Sequence, residues 1–258
     1  MSAAERTWCP GRAASARPAG RVHSWDLSTG VDGPGTRFVL FTSGCPLRCL
    51  YCQNPDTWHM RDGRAVGVDE VMARIQSCRP FLAASGGGVT ISGGEPLLQP
   101  VFTGEVLRRC KELGLHTALD TSGRLGARAG DALLGATDLV LLDIKSFDSR
   151  AYRRLTGGVL APTLRFARRL DALGKRVWVR YVLVPGWTDG EADVEGLAAF
   201  VAGLDCVERV DVLPFHKLGA GKYEALGLPF PLRDTPAPDA ALVQRVRERF
   251  RAHGLRAD

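Results

Sequence analysis

The stretch LVLLDIK, residues 139–145, is apolar at its first four positions and again at the sixth, and it ends in charge. A strand with one wet face alternates polar and apolar residues. An unbroken apolar run is the pattern of a strand covered on both faces, as in a parallel sheet overlaid by helices. Similar short runs lie at 37–42, 89–92, 116–120, 177–184 and 209–215. Between them the spacing turns helical. Val194, Leu197, Ala198 and Val201 fall at i, i+3, i+4 and i+7, one face of a helix. Further helices are predicted near 69–78, 102–113, 163–173 and 240–253. Gly114, Gly174 and Gly254 stand where helix ends favour a left-handed residue. Six strands alternating with helices predict an α/β fold with mainly parallel strands and helices outside. An open doubly wound sheet and a curved partial barrel both fit, since six units fall short of the eight that close a full barrel.

The chain has 258 residues, enough to remove roughly 75% of the unfolded surface from water. Residues 1–20 are rich in Ala, Arg, Gly, Pro and Ser and contain no continuous apolar run. They are expected to be a disordered tail rather than a secretory leader, with 21–258 a single domain. No stretch reaches the ~18 apolar residues of a membrane helix. No aromatic-and-basic stripe suggests nucleic acid. The net charge of +6 fits either plain solubility or attraction to an acidic partner. Seven cysteines, an odd number with three crowded into one loop, argue for a reducing compartment, and a cytoplasmic location is expected.

Polar or glycine-rich residues recur at the strand ends: SGGE, DTSG, DIK, VPGW and PFHKLG. In parallel α/β folds the loops after these ends form the active site. The first strand delivers SGCPLRCLYCQNPDTW, residues 43–58, to the same rim. Cys45, Cys49 and Cys52 give one short loop three thiols. A four-cysteine zinc site would need a second closely spaced pair, and Cys78 and Cys110 are isolated on helical stretches. His59 could complete a zinc set, although no spacing demands it. A cubane iron–sulfur cluster held by three cysteines leaves one iron open, and Gly44 and Pro46 suit the tight course such a loop must take.

This loop, with Tyr51 before its third cysteine, resembles those of the radical S-adenosylmethionine superfamily. VDGPGTRFVLFTSGCPLRCLYCQNPDTW, SGGGVTISGGEPLLQ, LDTSG, LVLLDIK, VWVRYVLVPGWTD and VLPFHKLG together resemble the glycyl-radical-enzyme activases of that superfamily, in order from Arg21 to about Gly221. With this resemblance the expected fold is a partial (β/α)6 TIM-like barrel. The resemblance implies a [4Fe–4S] cluster whose open iron takes the amino and carboxylate groups of S-adenosyl-L-methionine. It also implies one-electron cleavage of the S–C5′ bond, and removal of a hydrogen from a backbone glycine of a partner by the resulting 5′-deoxyadenosyl radical.

Carried over to this chain, Cys45, Cys49 and Cys52 match the cluster ligands. Tyr51, Cys52 and Gln53 match the adenosine side, with Gln53 standing where relatives often have His. Gly93, Gly94 and Glu95 match the step whose backbone receives the methionine amino group. Asp143, Ile144, Lys145 and His216 match cofactor contacts. Asp120, Thr121, Asp143 and the carbonyl of Leu141 match a monovalent-cation site. Asp32 matches a contact to the partner's glycine loop, and Arg180, a charge inside an apolar strand, is expected to neutralise a carboxylate there. Simpler roles stay open for several of these: a turn for Asp32, a mutual ion pair for Asp143 and Lys145, a structural contact for His216.

The activases for glycerol dehydratase and aromatic decarboxylases carry a cysteine-rich insert after the cluster loop, whereas only Cys78 lies between Cys52 and Gly94 here. Its absence favours pyruvate formate-lyase as the glycyl radical partner. An activase of another glycyl radical enzyme, or a non-catalytic metal-binding or electron-transfer protein, is the alternative. The resemblance also implies a flavodoxin-like reductant and a monomer.

Overall fold

The computed structural model describes residues 18–258. The elements, in order, are β1 (Ala19–Thr29), β2 (Thr36–Thr42), β3 (Arg64–Gly67), α1 (Val68–Ala84), β4 (Gly88–Gly93), α2 (Pro100–Glu112), β5 (His116–Thr121) and α3 (Asp131–Gly135). They continue with β6 (Leu139–Asp143), α4 (Ser149–Thr156), α5 (Ala161–Ala172), β7 (Arg176–Leu183), α6 (Glu191–Ala202), β8 (Val207–Pro214), α7 (Ala220–Ala225) and α8 (Ala240–Ala252). One open sheet holds all the strands in the order β3-β1-β2-β4-β5-β6-β7-β8. From β2 to β8 every neighbouring pair is parallel, giving the six parallel strands that the sequence predicts.

Two strands escape the sequence reading. β1 pairs antiparallel with β2, and β3 antiparallel with β1, so the sheet has eight strands rather than six. Residues 1–17 of the expected tail lie outside the described residues, while Ala19 and Gly20 are already part of β1, paired with Gly67 and Val66.

The strands separate two kinds of interior. Residues facing outward, among them Leu119, Val140, Leu142, Val177 and Val179, join the helices in the main core with Ile75, Leu107, Phe166 and Leu197. Residues facing inward alternate with them. Ala118, Leu139, Leu141 and Trp178 form a separate apolar cluster on the concave side. Helices cover one face of the sheet and a small side-chain cluster fills the other, an arrangement that fits the partial barrel. Helix ends follow local chemistry. Asp148 caps α4 by accepting from the N–H of Ala151 at 2.6 Å, and Gly157 ends it at φ 70°. Gly114, Gly174 and Gly254 also take the left-handed conformation expected of them, at φ 71°, 58° and 78°. α1 runs beyond its predicted end and through Pro80.

Candidate active site

The strand ends converge on one cavity of about 260 Å³. Its wall takes Cys45, Cys49, Tyr51, Cys52 and Gln53 from the loop after β2, and Ser92, Gly93 and Gly94 from the end of β4. Asp120 and Thr121 come from β5, Asp143 and Lys145 from the end of β6, Arg180 from β7, and His216 from the turn after β8. Asp32 reaches it from the turn between β1 and β2. Glu95, Leu141 and Ile144 do not line it, and the turn VPGW contributes nothing; β7 instead presents Arg180 and Val182 from within the strand.

The cysteine loop is fixed from both flanks. Gly44 and Cys45 donate their N–H groups to the carbonyls of Thr57 and Trp58 at 2.7 and 3.0 Å, which closes the loop at its base. The N–H of Gly94 donates to Thr42, and that of Glu95 to Gly44, both at 2.8 Å. This approach needs glycine: a Cβ at Gly94 would lie 2.3 Å from the Gly44 carbonyl oxygen. Glu95 is a fastening rather than a cavity group. Its Oε1 accepts from Thr121 Oγ1 at 2.6 Å, and its Oε2 accepts from the N–H and hydroxyl of Ser122 at 3.0 and 2.5 Å. Burial pushes its carboxyl above the ordinary range even so.

Tyr51, Phe215, Tyr223, Phe230 and Leu232 form a second apolar cluster, against which Cys49, Cys52 and Trp58 pack. This cluster keeps water from the protein side of the loop. Burial pushes the Cys45 and Cys49 thiols up to about 12. Burial also raises Cys52, with hydrogen bonds from the Asn54 backbone and the Trp58 side chain acting against it. At neutral pH these are thiols, and a metal must displace their protons to bind.

Across the cavity stands a charge cluster. Arg180 Nη1 lies 3.2 Å from Asp120 Oδ2, and its Nε lies 3.7 Å from Asp143 Oδ1. Lys145 Nζ is 3.2 Å from Asp143 Oδ2 and lies 5.6 Å from the ring centroid of Tyr51. Burial alone would raise Asp143, but Lys145 and Arg180 outweigh it and hold the carboxyl below its usual range. Asp120 has Asp143 for a neighbour and shares Arg180 with it, and burial pushes it up to about 6. The hydroxyl of Ser92 donates to Asp120 Oδ2 at 2.6 Å. Asp120 Oδ1 and the Tyr51 hydroxyl are buried without a hydrogen-bond partner, so polar capacity is left over at this wall. Sequence reasoning missed Ser92. Its signal was parity, because it follows Thr90 by two on β4 and so shares the inward face.

Gln53 turns out to be a clamp, joining the cysteine loop to the turn after β8 through both ends of its amide. His216 is exposed on the rim, its Nδ1 accepting weakly from Leu218 N at 3.4 Å.

Among the described residues no group of three His, Cys, Asp or Glu converges as a single metal ion would require. Three soft sulfur donors set along one loop suit a cubane, whose irons occupy separate corners, and the adjacent cavity and unpartnered polar atoms suit a polar ligand beside it.

The family model described as Radical SAM superfamily matches residues 39–198, and the chain belongs to that superfamily, which the partial barrel and the cysteine loop define. Membership implies S-adenosylmethionine and a [4Fe–4S] cluster. Within it, the chain is 46% identical over 232 residues to the pyruvate formate-lyase-activating enzyme of Staphylococcus aureus (strain USA300), covering 87% of this chain and 92% of that relative. A solved domain of the pyruvate-formate lyase-activating enzyme from Bacteroides vulgatus ATCC 8482 superposes with a TM-score of 0.57 at 28% identity, covering 67% of this chain and 98% of that one. Streptococcus suis SuiB bound to S-adenosylmethionine shares the fold at a TM-score of 0.65 and 18% identity, over 88% of this chain and 50% of that one.

Proposed function

We propose that this chain activates pyruvate formate-lyase by removing a hydrogen from one of its backbone glycines, leaving a glycyl radical. The observation that carries the reading is the meeting of Cys45, Cys49 and Cys52 with Gly93, Gly94, Asp143, Lys145 and Arg180 around one cavity, in a chain 46% identical to named activating enzymes. When bound, the cluster and S-adenosylmethionine supply a one-electron reductive cleavage that gives methionine and the carbon radical able to take the glycine hydrogen.

The chain's own residues bind, orient and exclude water. Cys45, Cys49 and Cys52 would hold three irons. The backbone at Gly93 and Gly94 is open to an ammonium group, because no side chain covers it. Tyr51, Gln53 and His216 stand on the adenosine side, Gln53 acting through the turn it clamps. Lys145 and Arg180 supply positive charge for a carboxylate, and Asp143 holds both in place. Asp120, Thr121, the Leu141 carbonyl and Asp143 would take a monovalent cation, a reading supported by the unpartnered Asp120 Oδ1. Asp32 would meet the glycine-bearing loop of the partner.

Among the described residues no helix is long and apolar enough to cross a membrane, and the described cysteines are all free. The proposal extends, on the resemblance to activases alone, to a monomeric enzyme of the cytoplasm that draws its electron from a flavodoxin-like donor. The test is to mix the anaerobically reconstituted, reduced enzyme with S-adenosylmethionine and pyruvate formate-lyase. A carbon-centred radical doublet on the partner, seen by electron paramagnetic resonance, is expected. Cleavage of S-adenosylmethionine with no radical on that partner would refute the assignment of substrate.

A further inference from the structure

Arg37, at the start of β2, is fully buried, with 0% of its surface exposed. Neutral groups hold its guanidinium. Nε donates to Thr90 Oγ1 at 3.0 Å, Nη2 donates to the carbonyls of Val89 and His116 at 2.5 and 3.4 Å, and Nη1 meets His116 Nδ1 at 3.1 Å. A buried cation held this way costs more than an apolar side chain of similar size. Filling space is therefore a poor account of it.

Its contacts give a better one. Thr90 Oγ1, which accepts from Arg37, donates its own proton to the carbonyl of Asp32 at 2.6 Å. The hydroxyl is thus used in both directions, and it passes the position of a fixed guanidinium to the turn at 30–35. The turn presses on the same support. Gly33 (φ +122°) is so close that a Cβ there would lie 3.2 Å from Arg37 Nε, and a Cβ at Gly35 (φ +66°) would lie 2.6 Å from the N of Gly87. Asp32, whose carbonyl the Thr90 hydroxyl holds, itself lines the cavity with the three cysteines, Asp120 and Arg180. Neither Arg37 nor Thr90 lines the cavity.

We infer that Arg37, acting through Thr90, is a positioning residue that pins the 30–35 turn and so places Asp32 for hydrogen transfer from the partner's glycine. The inference rests on the proposed function for its second half only. A merely structural Arg37 would lower stability, cofactor cleavage and glycyl radical formation together. A positioning role separates them, since the cluster loop and the Gly93–Gly94 turn do not depend on the 30–35 turn for their hydrogen bonds.

The informative variant is Thr90→Val, which keeps shape and removes the relay, with Thr90→Ser as the rescue and Arg37→Met as the stronger, riskier change. Two readouts are taken on the reconstituted full chain. In Thr90→Val, amide exchange in the peptide spanning 27–36 should quicken, while reductive cleavage of S-adenosylmethionine without partner stays within about twofold of the wild type. Glycyl radical yield per cleavage should fall by about tenfold to a hundredfold, the scale of a small misplacement of reacting groups, and Thr90→Ser should restore both. Unchanged exchange, or a parallel loss of cleavage and radical yield, overturns the inference and leaves the proposed function standing. A wild type that cleaves the cofactor but makes no radical on pyruvate formate-lyase overturns the proposed function instead, and the exchange readout still decides whether Thr90 pins the turn.

Discussion

The side-chain carbonyl of Gln53 accepts a hydrogen bond from the backbone N–H of Gly219 at 2.7 Å, across 166 residues of sequence. The same amide donates to the carbonyls of His216 at 3.0 Å and Tyr51 at 3.2 Å. Gln53 therefore ties the turn after β8 to the cysteine loop by two bonds, while the third stays within the loop, and a histidine could replace at most two of the three. Gln53→Ala should free the turn and raise the KM for S-adenosylmethionine by about tenfold, the scale of one or two net hydrogen bonds, with iron content unchanged. Iron assay and steady-state cleavage kinetics on the same preparation check it.

Lys145 and Asp143 form a pair in which both side chains are mostly shielded from water. Lys145→Met keeps the bulk and leaves Asp143 with Arg180 alone, 3.7 Å away. Removing one partner of a buried pair costs about 3 kcal/mol. Urea unfolding of the variant should show a loss of that order, and binding of S-adenosylmethionine should weaken with it.

Gly94 owes its place to contact with the Gly44 carbonyl. Gly94→Ala must move the chain entering the cysteine loop, because backbone cannot yield as a flexible side chain does. Iron incorporation in anaerobic reconstitution should fall well below one cluster per chain, although the sheet still forms by far-ultraviolet circular dichroism. Full incorporation would show that the two loops can separate without cost.

His116 carries a pH dependence. Burial, and then the neighbouring Arg37, lower its ring from 6.5 to about 4. Between those values the folded ring holds fewer protons than the unfolded one, so stability rises with pH across the window. The contribution is complete above pH 6.5 and is lost as pH falls toward 4. Because the ring is partly exposed, the loss is about 2 kcal/mol, less than the full shift implies. Denaturant titrations from pH 4 to 7 should show the slope in the wild type, and His116→Gln should flatten it by that amount.

The parallel core was legible because burial on both faces leaves continuous apolar runs such as LVLLD, and because glycines mark the helix ends. β1 was not. It is an edge-side antiparallel strand carrying Arg21, His23, Ser24, Asp26 and Ser28, so its sequence has no apolar run to see. β3 is four residues long and offers no period at all. At the site, the cysteines could be read from their spacing and the shared side of Asp143 and Lys145 from strand parity, while Gly93 and Gly94 came from the resemblance; all of them line the cavity. Two things could not. Glu95 lies in its motif but turns away to Thr121 and Ser122, and Arg37 lies within the quoted VDGPGTRF stretch but acts through a hydroxyl 53 residues on. Side-chain direction at a turn and partners across a sheet are set by tertiary packing, which spacing along the chain does not record.

The most direct test is spectroscopic. The protein is purified and reconstituted without oxygen, reduced, and examined by electron paramagnetic resonance before and after S-adenosylmethionine is added. Loop cysteines that hold a cubane with one free corner predict a reduced [4Fe–4S] signal that changes shape on addition, and that vanishes in Cys49→Ala. Bound zinc, no iron, or a cluster signal indifferent to the added cofactor would contradict the account.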